Sequence, residues 1–151
     1  MDATIEMAET GHLVLGTMHT NSCAETIERI INFYPSEDQL TVKFMIANAL
    51  KLVVSQRMLR GEYGNLVMVP EVLVVDDHVG GIIKRDKYSS VEVEDAMQSG
   101  KDKGNISPVF SLADAVLDGK ISMEQAKREV DFKRQELLVR VVAAGRQRKA
   151  Y

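Results

Sequence analysis

Cysteine occurs once in this chain, as Cys23. A single thiol excludes an internal disulfide framework and points to a reducing, cytoplasmic compartment. No apolar run approaches the roughly 20 residues that a membrane-spanning helix requires, so membrane contact is expected to be peripheral and to run through partners. The opening stretch MDATIEMAETGH lacks the basic and apolar regions of a signal peptide. A net charge of −3 gives no whole-chain basic balance, which argues against nucleic acid as a partner. What remains is globular: 45% hydrophobic and 27% charged over 151 residues, enough for one ordinary domain or two small ones. One local departure stands at the end. From Phe132 to Tyr151 six basic residues (Lys133, Arg134, Arg140, Arg146, Arg148, Lys149) accompany one acid, Glu136, a local charge of +5. Its plain reading is a solvated helix end; its sharper reading is contact with acidic lipid headgroups or an acidic partner.

Residues 3 to 10 read as the end of a helix, with Gly11 as its C′ stop. HLVLGTM then reads as a strand, apolar on both faces like a central strand of a covered parallel sheet. In NSCAETIERIINFYP, Ser22 and Glu25 form a capping box, and Ala24, Ile27, Ile30, Ile31 and Tyr34 recur at helical spacing up to Pro35. A second box, Ser36 with Gln39, opens LTVKFMIANALKLVV, whose expected apolar stripe is Leu40, Phe44, Ala47, Leu50 and Val54. SQRML and LVMVPEVLVV read as strands joined by RGEYGN, with Pro70 pushing the second towards an edge or bulge. From Asp76 onward short helices are predicted: DHVGGIIKRD, SSVEVEDAMQSG, VFSLADAVLDG and a last one, SMEQAKREVDFKRQELLVRVV, opened by Ser122 with Gln125. The predicted division is an α/β piece over residues 1–75 and a helical piece over 76–151.

In an open parallel sheet, ligands gather where strands give way to helices, at the C-terminal strand ends. Here HTNS makes that crossing. It sets an imidazole, hydroxyls and an amide before a helix N-terminus, whose free N–H groups and positive dipole end favour an anion such as phosphate. The residues alone also allow two histidines satisfied by ordinary hydrogen bonds at the two strand ends. A joint metal site at His12 and His19 is disfavoured, because a separation of seven puts them on opposite faces of a strand and no further ligand spacing completes the set. Cys23, in the first turn of the helix, reads as a small inert residue before it reads as an activated thiol.

AETGHLVLGTMHTNS closely resembles the histidine box of the secretion-type ATPases, the superfamily that drives type II secretion and type IV pili. ETIERIINFYPSED, ALKLVVSQRML and LVMVPEVLVVDDHVGGIIKRDK are similar to the segments that follow it, and VFSLADAVLDGKISMEQAKRE resembles the C-terminal helices of pilus-retraction members. RIINFYP and VSQRMLR lean towards the retraction branch and its PilU-like subgroup. The likeness runs to about residue 130 and implies an α/β fold: the C-terminal part of a RecA-like P-loop ATPase domain, followed by a helical C-terminal subdomain. It also implies a hexamer, an inner-membrane pilus platform protein as partner, and ATP with Mg²⁺ in the full-length protein. By position, His12, Thr17, His19 and Thr20 would be the nucleotide-proximal residues, with His19 the one to sense or polarise a γ-phosphate. Gln56 and Arg57 would serve packing or an interface.

Phosphoryl transfer also needs a loop of backbone amides with a lysine, and carboxylates for Mg²⁺. The sequence has no G-x-x-x-x-G-K-[ST]; its Gly-Lys pairs are Gly100-Lys101 and Gly119-Lys120, and neither follows an apolar strand. In the family the phosphate loop and catalytic glutamate lie upstream of the histidine box, so Glu6 and Glu9 do not take that role. The expectation is a retraction-ATPase portion that is inactive alone and holds no cofactor by itself. The alternative is a non-enzymatic module that binds or regulates a full-length ATPase ring.

Overall fold

The computed structural model describes residues 2–149, without the side chains of Asp2, Arg148 and Lys149. Two compact units emerge, Met1–Ser55 with Val72–Asn105 and Gln56–Glu71 with Ile106–Tyr151. This division passes through a β-hairpin.

The first unit begins with α1 (Asp2–Glu9), followed by α2 (Cys23–Asn32) and α3 (Gln39–Ala49). Helix α2 follows its sequence closely. The Ser22 hydroxyl accepts the Glu25 N–H, and Ala24, Ile27 and Ile31 form a buried stripe. The second capping box does not form: α3 starts after Asp38 without a side-chain cap, and Gln39 donates its amide to the Tyr34 carbonyl. The expected stripe of α3 is also corrected. Val42, Lys43 and Ile46 are buried, while Leu40 and Phe44 are exposed and the helix stops at Ala49. QLTVKFMIANA is apolar nearly all round, so periodicity could not select its inner face. Packing against α1 and against α4 (Asp77–Ile83) selected it. Lys43 is buried because its ammonium caps the end of α4, donating to the carbonyls of Arg85 (3.3 Å) and Asp86 (2.7 Å). Helix α5 (Ser90–Ser99), capped by Ser89, completes the unit. Ile27, Leu73, Ile83 and Met97 centre its core.

Strands β1 (Leu52–Arg60) and β2 (Leu66–Val74) form a two-stranded sheet. Its turn needs Gly64, whose φ of +78° is open to glycine at little cost. Gly61 N–H donates to the Asn65 carbonyl at one end and Val75 N–H to the Lys51 carbonyl at the other. These two bonds fix the register, with Gln56 opposite Pro70. Pro70 then stands at a non-hydrogen-bonded position, its nitrogen on the outer edge of β2, so the proline costs the ladder nothing.

The second unit packs the distal hairpin with α6 (Pro108–Leu117), α7 (Met123–Arg128) and α8 (Phe132–Lys149). Leu112, Ile121, Leu138 and Val142 are its buried centre. Ser122 caps α7 as its sequence predicts, but the single last helix is broken in two. Asp131 breaks it by accepting the Arg134 N–H through its carboxylate at 2.9 Å, which starts α8 anew. Arg134 and Arg140 are ion-paired to Asp131 and Glu136, and the part of the basic segment at Arg148 to Tyr151 lies outside the described side chains.

Candidate functional site

Helix α1 ends as its glycine dictates. Gly11 has φ of +90°, its N–H bonds to the Ala8 carbonyl, and the His12 N–H bonds to the Met7 carbonyl. His12 is held to this end by its side chain as well. Its Nδ1 lies 3.1 Å from Thr10 Oγ1 and 3.3 Å from the Met7 carbonyl, an arrangement suited to an Nδ1–H donor.

The strand expected over HLVLGTM does not form. Residues 12–20 are irregular, and Leu13 and Leu15 are 90% and 89% exposed. The physical reason is the lack of a partner: the described residues contain one sheet, and its two strands pair with each other. A strand's backbone groups are satisfied only by a neighbouring strand.

The chain regains order at the crossing into α2. Arg29 Nη1 donates to the His19 carbonyl at 2.8 Å, Thr20 Oγ1 lies 2.7 Å from Thr26 Oγ1, and Thr26 donates to the Ser22 carbonyl. Glu25 returns the capping bond one residue further back than a box requires, accepting from the Asn21 N–H at 2.9 Å. Thus Thr20 is tied to α2, His19 is held there by its backbone with its ring exposed, and Thr17 is exposed on the irregular stretch. His12 is fixed at the other end of that stretch by α1. Cys23 is buried, its thiol donating to the Val53 carbonyl at 3.4 Å.

The described residues do not form a phosphate cradle. Gly100-Lys101 follows helix α5, and a Cβ at Gly100 would run into the Asn105 amide; Gly119-Lys120 is the turn that ends α6. No cluster of three or more His, Cys, Asp or Glu among the described residues is arranged to hold a metal ion. No described helix is long and apolar enough to cross a membrane.

Three polar arrangements escaped the sequence. Glu71 is nearly enclosed at 3% exposure and meets Arg57 at 3.0 Å, while Arg57 also donates to the Glu129 carbonyl and carboxylate. Asn105 is buried and accepts the outward Val74 N–H at 2.7 Å. Lys43 caps α4 as described. None has a local signal, because each pairs residues far apart in the chain. A fourth was half legible: Asp76 caps α4 and takes a bond from Lys103, which holds its carboxyl below the usual carboxylate value.

The mixed α/β architecture with a helical C-terminal half is that of solved secretion-type ATPases. The crystal structure of a pilus retraction motor with bound ADP superposes with a TM-score of 0.75 at 30% identity, over 89% of this chain and 37% of that one. The DotB ATPase of Legionella pneumophila superposes with a TM-score of 0.67 at 26% identity, over 83% of this chain and 34% of that one.

Residues 1–65 match the family described as type II/IV secretion system protein. It is 34% identical over 122 residues to the type IV pilus retraction ATPase PilT of Pseudomonas aeruginosa, covering 81% of this chain and 35% of the relative. A twitching motility protein of Neisseria gonorrhoeae is 34% identical over 122 residues, covering 80% of this chain and 32% of that one. The chain therefore spans about a third of the length of these relatives and corresponds to their C-terminal portion.

Proposed function

We propose that this chain is the C-terminal part of a type IV pilus retraction motor ATPase. The observation that carries the reading is similarity to a retraction ATPase over 122 residues, far more than the histidine stretch by itself. In this reading residues 1–75 end the ATPase core and residues 76–151 form a helical subdomain. His12, Thr17, His19 and Thr20 line the nucleotide-facing edge, and the phosphate loop and magnesium ligands come from the part of the enzyme outside this stretch. The working assembly is a hexamer at an inner-membrane pilus platform. The chain alone hydrolyses no ATP, because it has no loop of amides to hold the phosphates.

Joining the chain behind the remaining portion of the Pseudomonas retraction ATPase tests this reading. The hybrid is expected to hydrolyse ATP and the chain alone is not. In the hybrid, His19→Ala is expected to lower turnover about 30- to 1,000-fold, the loss of one contact worth roughly 2–4 kcal/mol in the transition state, with a much smaller change in nucleotide affinity. Equal loss of binding and turnover would assign His19 a structural role, and turnover by the chain alone would overturn its inactivity.

A second reading is a non-enzymatic module that joins or regulates a full-length ring, favoured by the exposure of Leu13 and Leu15. Co-sedimentation with a full-length relative is its measurement; two species that never co-sediment end it.

A further inference from the structure

Three side chains of α2 reach back, in order, to the three residues ahead of its cap. Glu25 accepts the Asn21 N–H at 2.9 Å, Thr26 Oγ1 lies 2.7 Å from Thr20 Oγ1, and Arg29 donates through Nη1 to the His19 carbonyl at 2.8 Å. Side chains on a helix lean towards its N-terminus, so a long one at position 29 covers a group ahead of the cap. Ala24, Ile27 and Ile31 face the core, which leaves Arg29 on the exposed side, free to make this reach. Its bond falls on the peptide plane between His19 and Thr20. The same plane is held from the Thr20 side, through the hydroxyl contact with Thr26, and Thr26 is itself fixed by donating to the Ser22 carbonyl at 2.8 Å.

We propose that Arg29 is the positioning residue of His19: its guanidinium pins the peptide plane that carries His19 and so presents the imidazole at the N-terminal end of α2. That end favours an anion, through its free N–H groups and the positive pole of the helix. With the plane fixed to α2, His19 Cα is fixed as well, and a single backbone torsion, ψ of His19, lies between the plane and the imidazole. Release of the carbonyl would let the plane swing and carry the ring with it. A guanidinium suits the task, because it stays charged at every working pH and donates from a rigid planar fork. The plain alternative is that Arg29, in the last turn of α2, only offsets the negative pole of the helix, which would leave residues 19 and 20 indifferent to its removal. The proposal rests on the retraction reading for what His19 touches, whereas the clamp itself lies wholly within this chain.

Nitrogen-15 relaxation of the full chain tests the clamp, read at the Thr20 amide, which shares its plane with the bonded carbonyl. Arg29→Ala is expected to take this amide from the rigid range, an order parameter of about 0.85, to below about 0.6, with the amides of 25 to 31 unchanged. Arg29 is exposed, so the variant keeps its fold, which helical circular dichroism verifies. An unchanged Thr20 amide overturns the clamp. Turnover of the hybrid ATPase tests what the clamp is for. Arg29→Ala is expected to lower turnover on the order of tenfold with little change in nucleotide affinity. Added to His19→Ala it is expected to cost nothing further, because Arg29 acts only through His19. Losses that multiply, or an equal loss of affinity and turnover, overturn the positioning role. The two failures are distinct: a hybrid indifferent to His19→Ala removes the task that the retraction reading gives His19, while the Thr20 amide judges the clamp in the chain alone.

Discussion

Segment 12–18 and the hairpin 52–74 begin as the same kind of sequence: short, apolar and bounded by turn residues. The hairpin folds as a sheet and the segment does not. The hairpin carries its partner a few residues away, across a turn that Gly64 makes cheap, so both strands are satisfied locally. The segment has no neighbouring strand among the described residues. Its ends are nevertheless fixed, His12 by the α1 terminus and His19 to Ser22 by α2. The difference is that a helix end satisfies itself, whereas a strand is only as stable as its neighbour.

Mutations at matched positions sharpen that contrast. The largest effect is expected in the hairpin. Leu73→Ala, at a side chain with no exposure, should lower unfolding free energy by about 2–5 kcal/mol in denaturant titrations, because it leaves a cavity under the sheet. Arg57→Ala should cost about 3 kcal/mol by removing the cation that meets the enclosed Glu71 at 3.0 Å, and the double change Arg57→Met with Glu71→Leu should recover much of that loss. Ser22→Ala removes the cap that holds the far end of the segment and should cost about 1 kcal/mol. At low protein concentration Leu15→Ala should stay within about 0.5 kcal/mol of the parent, since its side chain already stands in water. A large loss there would mean that the segment is packed in the monomer, which would break the contrast.

A smaller effect separates α4 from both regions. The hydrogen bond from Lys103, followed by the backbone N–H of Val79, lowers the Asp76 pKa. The carboxylate's contribution is therefore present above the ordinary aspartate value and is lost as pH falls through the lowered folded value. Asp76→Asn should lower stability modestly at neutral pH and flatten the acid limb below about pH 4, where the parent has itself lost the carboxylate's contribution. Lys103 has the opposite sign: its pKa is raised by the same bond, so its share is lost only as pH rises through that raised value.

The legible parts of the fold were those set by neighbours in sequence. Ser22, Ser89 and Ser122 each capped the helix that follows, Gly11 ended α1, and the hairpin formed where turn residues separated two apolar runs. Capping and tight turns involve residues three or four apart, so a sequence displays them directly. The family was legible for a related reason, as a run of local patterns in a fixed order. The inner face of α3 was not, because an all-round apolar helix has no preferred side until α1 and α4 pack against it. Nor was the break at Asp131, where one carboxylate outweighs a helical pattern on both sides.

The candidate site divides along the same line. By itself the sequence determined which residues stand at the crossing into α2, since His19 to Ser22 are ordered by bonds to α2 side chains and backbone within ten residues. Only the tertiary structure decided that HLVLGTM stays unpaired among the described residues, that Lys43 and Glu71 are buried with partners, and that Asn105 takes the outward Val74 N–H of the hairpin. Each of those outcomes depends on a group distant in the chain. A strand without a neighbour and a buried charge with a partner are facts about who is nearby, which no local pattern encodes.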